Sequence, residues 1–147
     1  MGFYQMPLFN KLLVRDIEKA EKWYRHNLGF QSVFKFHNEE NEVIMNHLRL
    51  RKYQDIMLIQ SNDFKSGNGC FINILVNDIE TISKSISDMY VLQPLEQMPW
   101  NAMEMTIVDP NGYQITLTES NISDEDFETL MDSFSKNIKS KSSDLID

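Results

Sequence analysis

The chain has 147 residues, 41% apolar and 24% charged, with a formal net charge of −8. A domain of this length buries roughly two-thirds of its unfolded surface and needs no covalent staple, and its single cysteine, Cys70, excludes an intramolecular disulfide or a thiolate metal cluster within one chain. The acidic balance argues against nucleic acid, no apolar run approaches the roughly 20 residues of a membrane helix, and Met1 to Asn10 lack a secretory pattern, so a cytoplasmic protein is expected.

The first element is an apolar strand around Leu12, Leu13 and Val14, running into Asp16, a helix-capping residue. The helix that follows places Ile17, Ala20, Trp23, Tyr24 and Leu28 on one face, and Gly29 supplies a left-handed stop. Strand-like segments come next at Gln31–His37, Val43–Arg51 and Asp55–Gln60, then Ser66-Gly67-Asn68-Gly69 reads as a linker. At that point the pattern restarts. Ile74-Leu75-Val76-Asn77-Asp78-Ile79-Glu80 answers Leu12-Leu13-Val14-Arg15-Asp16-Ile17-Glu18, again a strand feeding a capping Asp. Its helix is expected to align Ile79, Ile82, Ile86 and Met89. Strands at Ala102–Val108 and Tyr113–Thr118 flank Asp109-Pro110-Asn111-Gly112, where Pro fixes φ and Gly accepts a positive one.

The acidic end of the chain predicts one further helix. Ser123 is placed as its N-cap, Asp124, Glu125 and Asp126 suit the positive end of the helix dipole, and Ile122 can staple onto Phe127. Phe127, Leu130, Met131, Phe134 and Ile138 form an apolar stripe, which packs either on its own domain or on a partner or cleft, and Lys139 to Asp147 are expected to fray. The fold class is therefore α+β. Two paired βαβββ modules, about 7–62 and 70–119, make one domain over 1–120 with a curved mixed sheet and a cleft, and 121–147 is an appended amphipathic helix and tail.

Strand phase assigns the faces. Met105, Ile107, Ile115 and Leu117 turn toward the helices, while Glu104, Thr106, Gln114, Thr116 and Thr118 turn away. Leu12 and Val14, with Ile72, Ile74 and Val76, take the helix side; Phe9, Lys11 and Leu13, with Phe71, Asn73 and Leu75, take the open side. His26, His37 and His47 are scattered without ligand spacing, and Cys70 reads as inert packing ahead of a strand.

The strand-Asp-helix ending Trp23-Tyr24-Arg25-His26-Asn27-Leu28-Gly29-Phe30, followed by Pro99-Trp100 and Val108-Asp109-Pro110-Asn111-Gly112-Tyr113, resembles the vicinal oxygen chelate superfamily of glyoxalases, ring-cleaving dioxygenases, fosfomycin-resistance and bleomycin-resistance proteins. The resemblance covers about residues 7–119. It implies paired βαβββ modules, a homodimer, and, in the enzymes, a divalent metal held by His, Gln or Glu. Carried onto this chain, the metal positions fall on Phe9, Phe71 and Thr116, with the remaining one near Leu58 between Met57 and Ile59. Phenyl rings donate nothing and a neutral hydroxyl is a poor ligand, so no metal, no cofactor and no catalytic residue is expected.

What the residues offer instead is aromatic surface with an acid. Phe9 and Phe71 are either core or dimer packing or stacking walls, Trp100 sits at the rim, and Glu104 points inward with Thr106 and Thr116. Aromatic faces attract cations, and this set is similar to the metal-free bleomycin-resistance branch. The expected function is sequestration of an aromatic, cationic small molecule at a dimer interface. The alternative is a metal-dependent glyoxalase-, thiol-transferase- or dioxygenase-like enzyme with shifted ligands.

Overall fold

In a computed structural model of the chain, residues 5–121 and 124–143 are described. The elements run β1 (Asn10–Val14), α1 (Ile17–Leu28), β2 (Gln31–His37), β3 (Val43–Arg51), β4 (Gln54–Gln60), β5 (Phe71–Leu75), α2 (Ile79–Ser85), β6 (Val91–Met98), β7 (Ala102–Val108), β8 (Gln114–Ser120) and α3 (Asp124–Ser143). They build two four-stranded mixed sheets of identical plan, ordered β1-β4-β3-β2 and β5-β8-β7-β6. In each, the strand before the helix pairs in parallel with the last strand of its module, Leu12 opposite Leu58 and Ile74 opposite Leu117.

Local chemistry sets α1. The Asp16 side chain accepts from the Lys19 amide at 3.1 Å, and Gly29, at φ 83°, turns its amide back to the Arg25 carbonyl. Ile17, Ala20, Trp23, Tyr24 and Leu28 are buried, as the periodicity required. One face of each sheet packs under the helices: Leu12, Val14, Leu48, Ile56 and Leu58 in one module, Ile74, Met105, Ile107, Ile115 and Leu117 in the other, all within one continuous core. Each such side chain stabilises the fold by roughly 1.5–3 kcal/mol on burial.

The modules are locked by side chains standing in for backbone. The Gln54 amide donates to the Leu75 carbonyl at 2.9 Å and accepts from its N–H at 2.7 Å, as a neighbouring strand would. The Tyr113 hydroxyl donates to the Leu13 carbonyl at 2.8 Å. In the core, the Tyr24 hydroxyl of α1 donates to Asp109 Oδ2 at 2.6 Å, while Asp109 Oδ1 accepts from the Asn111 and Tyr113 amides. Burial pushes the Asp109 carboxyl above its ordinary value despite these bonds, and burial followed by the Asp109 charge pushes the Tyr24 hydroxyl well up.

Several expectations are corrected. The second helix stops at Ser85, Ile86 is already extended, and Met89 is 75% exposed in a 3₁₀ turn. Ser83 and Ser85 each bond the carbonyl three residues back, which competes with helix propagation. The strand β6 was not anticipated; Pro94 obscures it, and the strand tolerates that residue because it forms a sheet edge with an irregular register around Gln93. Cys70 is exposed rather than packed. The terminal helix extends through Lys139 to Ser143; the expected cap and staple at Ile122 and Ser123 lie outside the described residues. Met131 and Phe134 of its stripe are exposed.

Candidate functional site

The faces of the sheets turned away from the helices carry the residues singled out from sequence. On the second sheet, register sets them in rows. Phe71 lies beside Gln114; Asn73, Thr116 and Thr106 form the next row; Leu75, Thr118, Glu104 and Glu96 form the third. Phe71 is 56% exposed and makes no ring contact among the described residues, so it is not core packing within this chain.

Glu104 gathers the polar groups. The Trp100 indole N–H, from the turn between β6 and β7, donates to Glu104 Oε1 at 3.0 Å, and the Thr118 hydroxyl donates to the same oxygen at 3.1 Å while lying 3.3 Å from the Asn73 amide. Thr106 and Thr116 share a hydroxyl–hydroxyl bond of 3.0 Å. Glu104 therefore has neutral donors and, among the described residues, no cation. Glu96 stands directly opposite on β6, and like charges so placed repel unless a cation comes between them. Trp100 itself is 63% exposed, a flat apolar surface held beside the two acids. The Gln114 side-chain amide oxygen is buried without a hydrogen-bond partner among the described residues.

The first sheet differs in character. Its open rows are Asp55 and Arg49; Lys11, Met57, His47 and Phe34; and Leu13, Ile59, Met45 and Phe36, with Phe9 just ahead of β1. Within them lies an ionic cluster that the sequence reading missed. The Asp55 side chain is fully buried and accepts from Arg49 Nε at 2.9 Å, Arg49 Nη2 at 2.7 Å and His47 Nε2 at 2.7 Å. Burial alone would raise the Asp55 carboxyl, but the bonds from Arg49 and His47 outweigh it and hold the group below its ordinary value. Phe9 stacks on the His47 ring at 6.0 Å. His47 is therefore not a scattered histidine. His26 is exposed near the end of α1 and His37 closes β2, away from this cluster. A pocket of about 160 Å³ opens where the sheets meet, lined by Phe9 and Asp55 on one side and Asn73 on the other.

Register also corrects the fourth metal position. Leu58 is fully buried on the helix side; Met57 stands on the open face opposite Lys11, as Thr116 stands opposite Asn73. The four positions are then Phe9, Met57, Phe71 and Thr116. Two rings, a thioether and one hydroxyl do not fit a divalent cation, and among the described residues no three His, Cys, Asp or Glu side chains converge as a ligand set.

Fold and sequence meet in the comparison with known proteins. A sequence model of the Glyoxalase/Bleomycin resistance protein/Dioxygenase superfamily matches residues 7–117. The chain belongs to this superfamily. Among solved structures it is similar to a superfamily member from Sphaerobacter thermophilus DSM 20745 (26% identity, 76% of this chain and 94% of that one, TM-score 0.60). It is also similar to TioX from Micromonospora sp. ML1 (15% identity, 76% and 96%, TM-score 0.62) and to the genomically encoded fosfomycin resistance protein FosX from Listeria monocytogenes (8% identity, 82% and 97%, TM-score 0.63). The last two share the fold. No curated protein matches the chain. No helix of the described residues is long and apolar enough to cross a membrane.

Proposed function

We propose that this superfamily member is a metal-free binding protein of the bleomycin-resistance type, which sequesters an aromatic, cationic small molecule in a cleft at a homodimer interface in the cytoplasm. Capture is by mass action, with no bond broken. The observation that carries the reading is the replacement of donors by Phe9, Met57, Phe71 and Thr116 at the metal positions, beside a carboxylate that has no cation among the described residues. An enzyme that polarises vicinal oxygens through a metal lacks the electrophile in such a site. Trp100 and Phe71 supply stacking faces, Glu104 the charge, and Thr106 and Thr116 the hydroxyls. A cation between an aromatic face and a carboxylate gains roughly 0.5–2 kcal/mol from the ring alone. The body over 1–120 would act as the binding domain, with the terminal helix as an addition to it.

The test is a thermal-shift survey of glycopeptide, aromatic and cationic compounds, because binding to the native state raises the melting temperature. For compounds that bind, Trp100→Ala and Glu104→Gln each weaken affinity while leaving the protein folded. Unchanged affinity in both removes the site assignment. One tightly held divalent ion per subunit in protein purified without chelator restores the enzyme alternative.

A further inference from the structure

Two side chains on the open face, Lys11 and His47, take no part in the Trp100–Glu104 arrangement. Lys11, Met57, His47 and Phe34 form one row across β1, β4, β3 and β2. Neighbouring strands lie about 4.8 Å apart, so Lys11 and His47 flank Met57 with roughly 10 Å between their backbones. Lys11 is exposed and forms no ion pair among the described residues. His47 keeps a fifth of its side chain exposed, 20%, with Nε2 committed to Asp55. An ionised carboxylate only accepts, so that bond carries its proton on Nε2. Nδ1 has no hydrogen-bond partner among the described residues.

We propose that Lys11 and His47 form an anion-recognising subsite, which takes a carboxylate, sulfonate or phosphonate group carried on an aromatic body. The inference deepens the ligand reading above and rests on it for the shared cleft: the ligand is dipolar, its positive group over Glu104 and Glu96 and its acidic group over Lys11 and His47. Charge sorting supports this. The open rows of the second sheet hold Glu104 and Glu96 and, among the described residues, no cation. On the first sheet Asp55 offsets Arg49, which leaves Lys11 and the His47 imidazole to meet an anion. Phe9 stacks on the imidazole at 6.0 Å, and Phe34 stands opposite His47 on β2.

The imidazole donates to an anion from Nδ1 only in its doubly protonated, charged form. The charged groups facing the ring are Asp55 on β4, Arg49 on its own strand and Lys11 on β1; β2 presents Phe34.

The experiment is NMR of the full chain labelled at methionine methyls, histidine rings and tryptophan indoles. It is titrated separately with benzenesulfonate and benzyltrimethylammonium, whose charges do not change with pH. Benzenesulfonate is expected to give saturable shifts at the Met57 methyl and the His47 ring, with affinity reduced about fivefold by Lys11→Gln or His47→Gln. Lys22→Gln, on the outer face of α1, serves as the control. Lys11→Gln alters an exposed side chain and decides the matter if His47→Gln fails to fold. No saturable shift at Met57, or the same affinity in Lys11→Gln as in the unmodified chain, overturns the subsite. If benzenesulfonate binds as described while benzyltrimethylammonium leaves the Trp100 indole unmoved, the cationic-ligand reading falls and the anion subsite stands.

Discussion

Removing the Asp55 carboxylate tests the cluster at the centre of the first sheet's open face. In Asp55→Leu the Arg49 guanidinium loses both of its bonds to Asp55 at a position where its side chain is only 8% exposed. Stripping one partner from a buried ion pair costs about 3–5 kcal/mol, a large share of the about 5–15 kcal/mol that holds a domain together. With a urea dependence of about 2 kcal/mol per molar, the midpoint falls by about 2 M. Arg49→Met is also destabilising, because it strands the buried carboxylate with His47 alone. The double variant removes both charges together and is expected within about 1 kcal/mol of the original protein. Urea unfolding of all four proteins gives the coupling directly. A midpoint for Asp55→Leu near that of the original protein, or a double variant as unstable as the two losses summed, refutes the reasoning. The pH dependence carries a definite sign. Asp55 is held below its unfolded value, so its contribution is complete above that value, about 3.9, and disappears as the pH falls through the lower folded one. The double variant therefore loses less stability in acid than the original protein.

Two further substitutions test how the modules are locked. Tyr24→Phe deletes the 2.6 Å bond to Asp109 in the core and is expected to cost about 1–2 kcal/mol, read as a drop in melting temperature of several degrees. No change there means that the bond does not tie α1 to the final hairpin. Gly112→Ala meets both a φ of 93° and the Ser66 Oγ, which an added Cβ would approach to 2.5 Å, so it should destabilise by more than about 1 kcal/mol. Adding Ser66→Gly relieves the contact but not the backbone strain, and full recovery in the pair would show that φ is immaterial.

The elements that were legible in the sequence are those whose causes are local. Asp16, Gly29 and the spacing from Ile17 to Leu28 set α1, and Asp109-Pro110-Asn111-Gly112 set the last hairpin, whose alternation then sorted Glu104 and Thr116 from Met105 and Leu117. The α2 helix was overextended because apolar spacing was read without weighing the serines between those positions. The Asp55 cluster stayed hidden for a different reason. His47, Arg49 and Asp55 look unrelated until β3 and β4 are paired, and an error of one residue in that register moves a side chain to the other face. Counting outward from the turn at Lys52 and Tyr53 pairs Arg51 with Gln54 and would put Leu50 opposite Asp55. An irregularity between Arg49 and Arg51 shifts the register by one residue, and only that shift brings Arg49 opposite Asp55 and Met57 opposite His47.

That alternation explains how this fold can change its chemistry while keeping its shape. The core residues Leu48, Leu58, Ile107, Ile115 and Leu117 occupy one face of each strand and are fully or almost fully buried. The intervening positions turn outward, so exchanging a metal donor for Phe71 or Thr116 leaves the helix-side packing untouched. Asp55 departs from that division. Its carboxylate faces outward yet is fully buried, bound to Arg49 and to His47, on whose ring Phe9 stacks. Substitutions at Thr116 or Glu104 should therefore alter binding with small effects on stability, whereas a change at Asp55 reaches both. It withdraws the acceptor that orients His47 and the counter-charge that lets Arg49 remain buried. Affinity and stability are therefore expected to separate on the second sheet and to couple on the first, where Asp55 makes that half of the proposed site the more constrained.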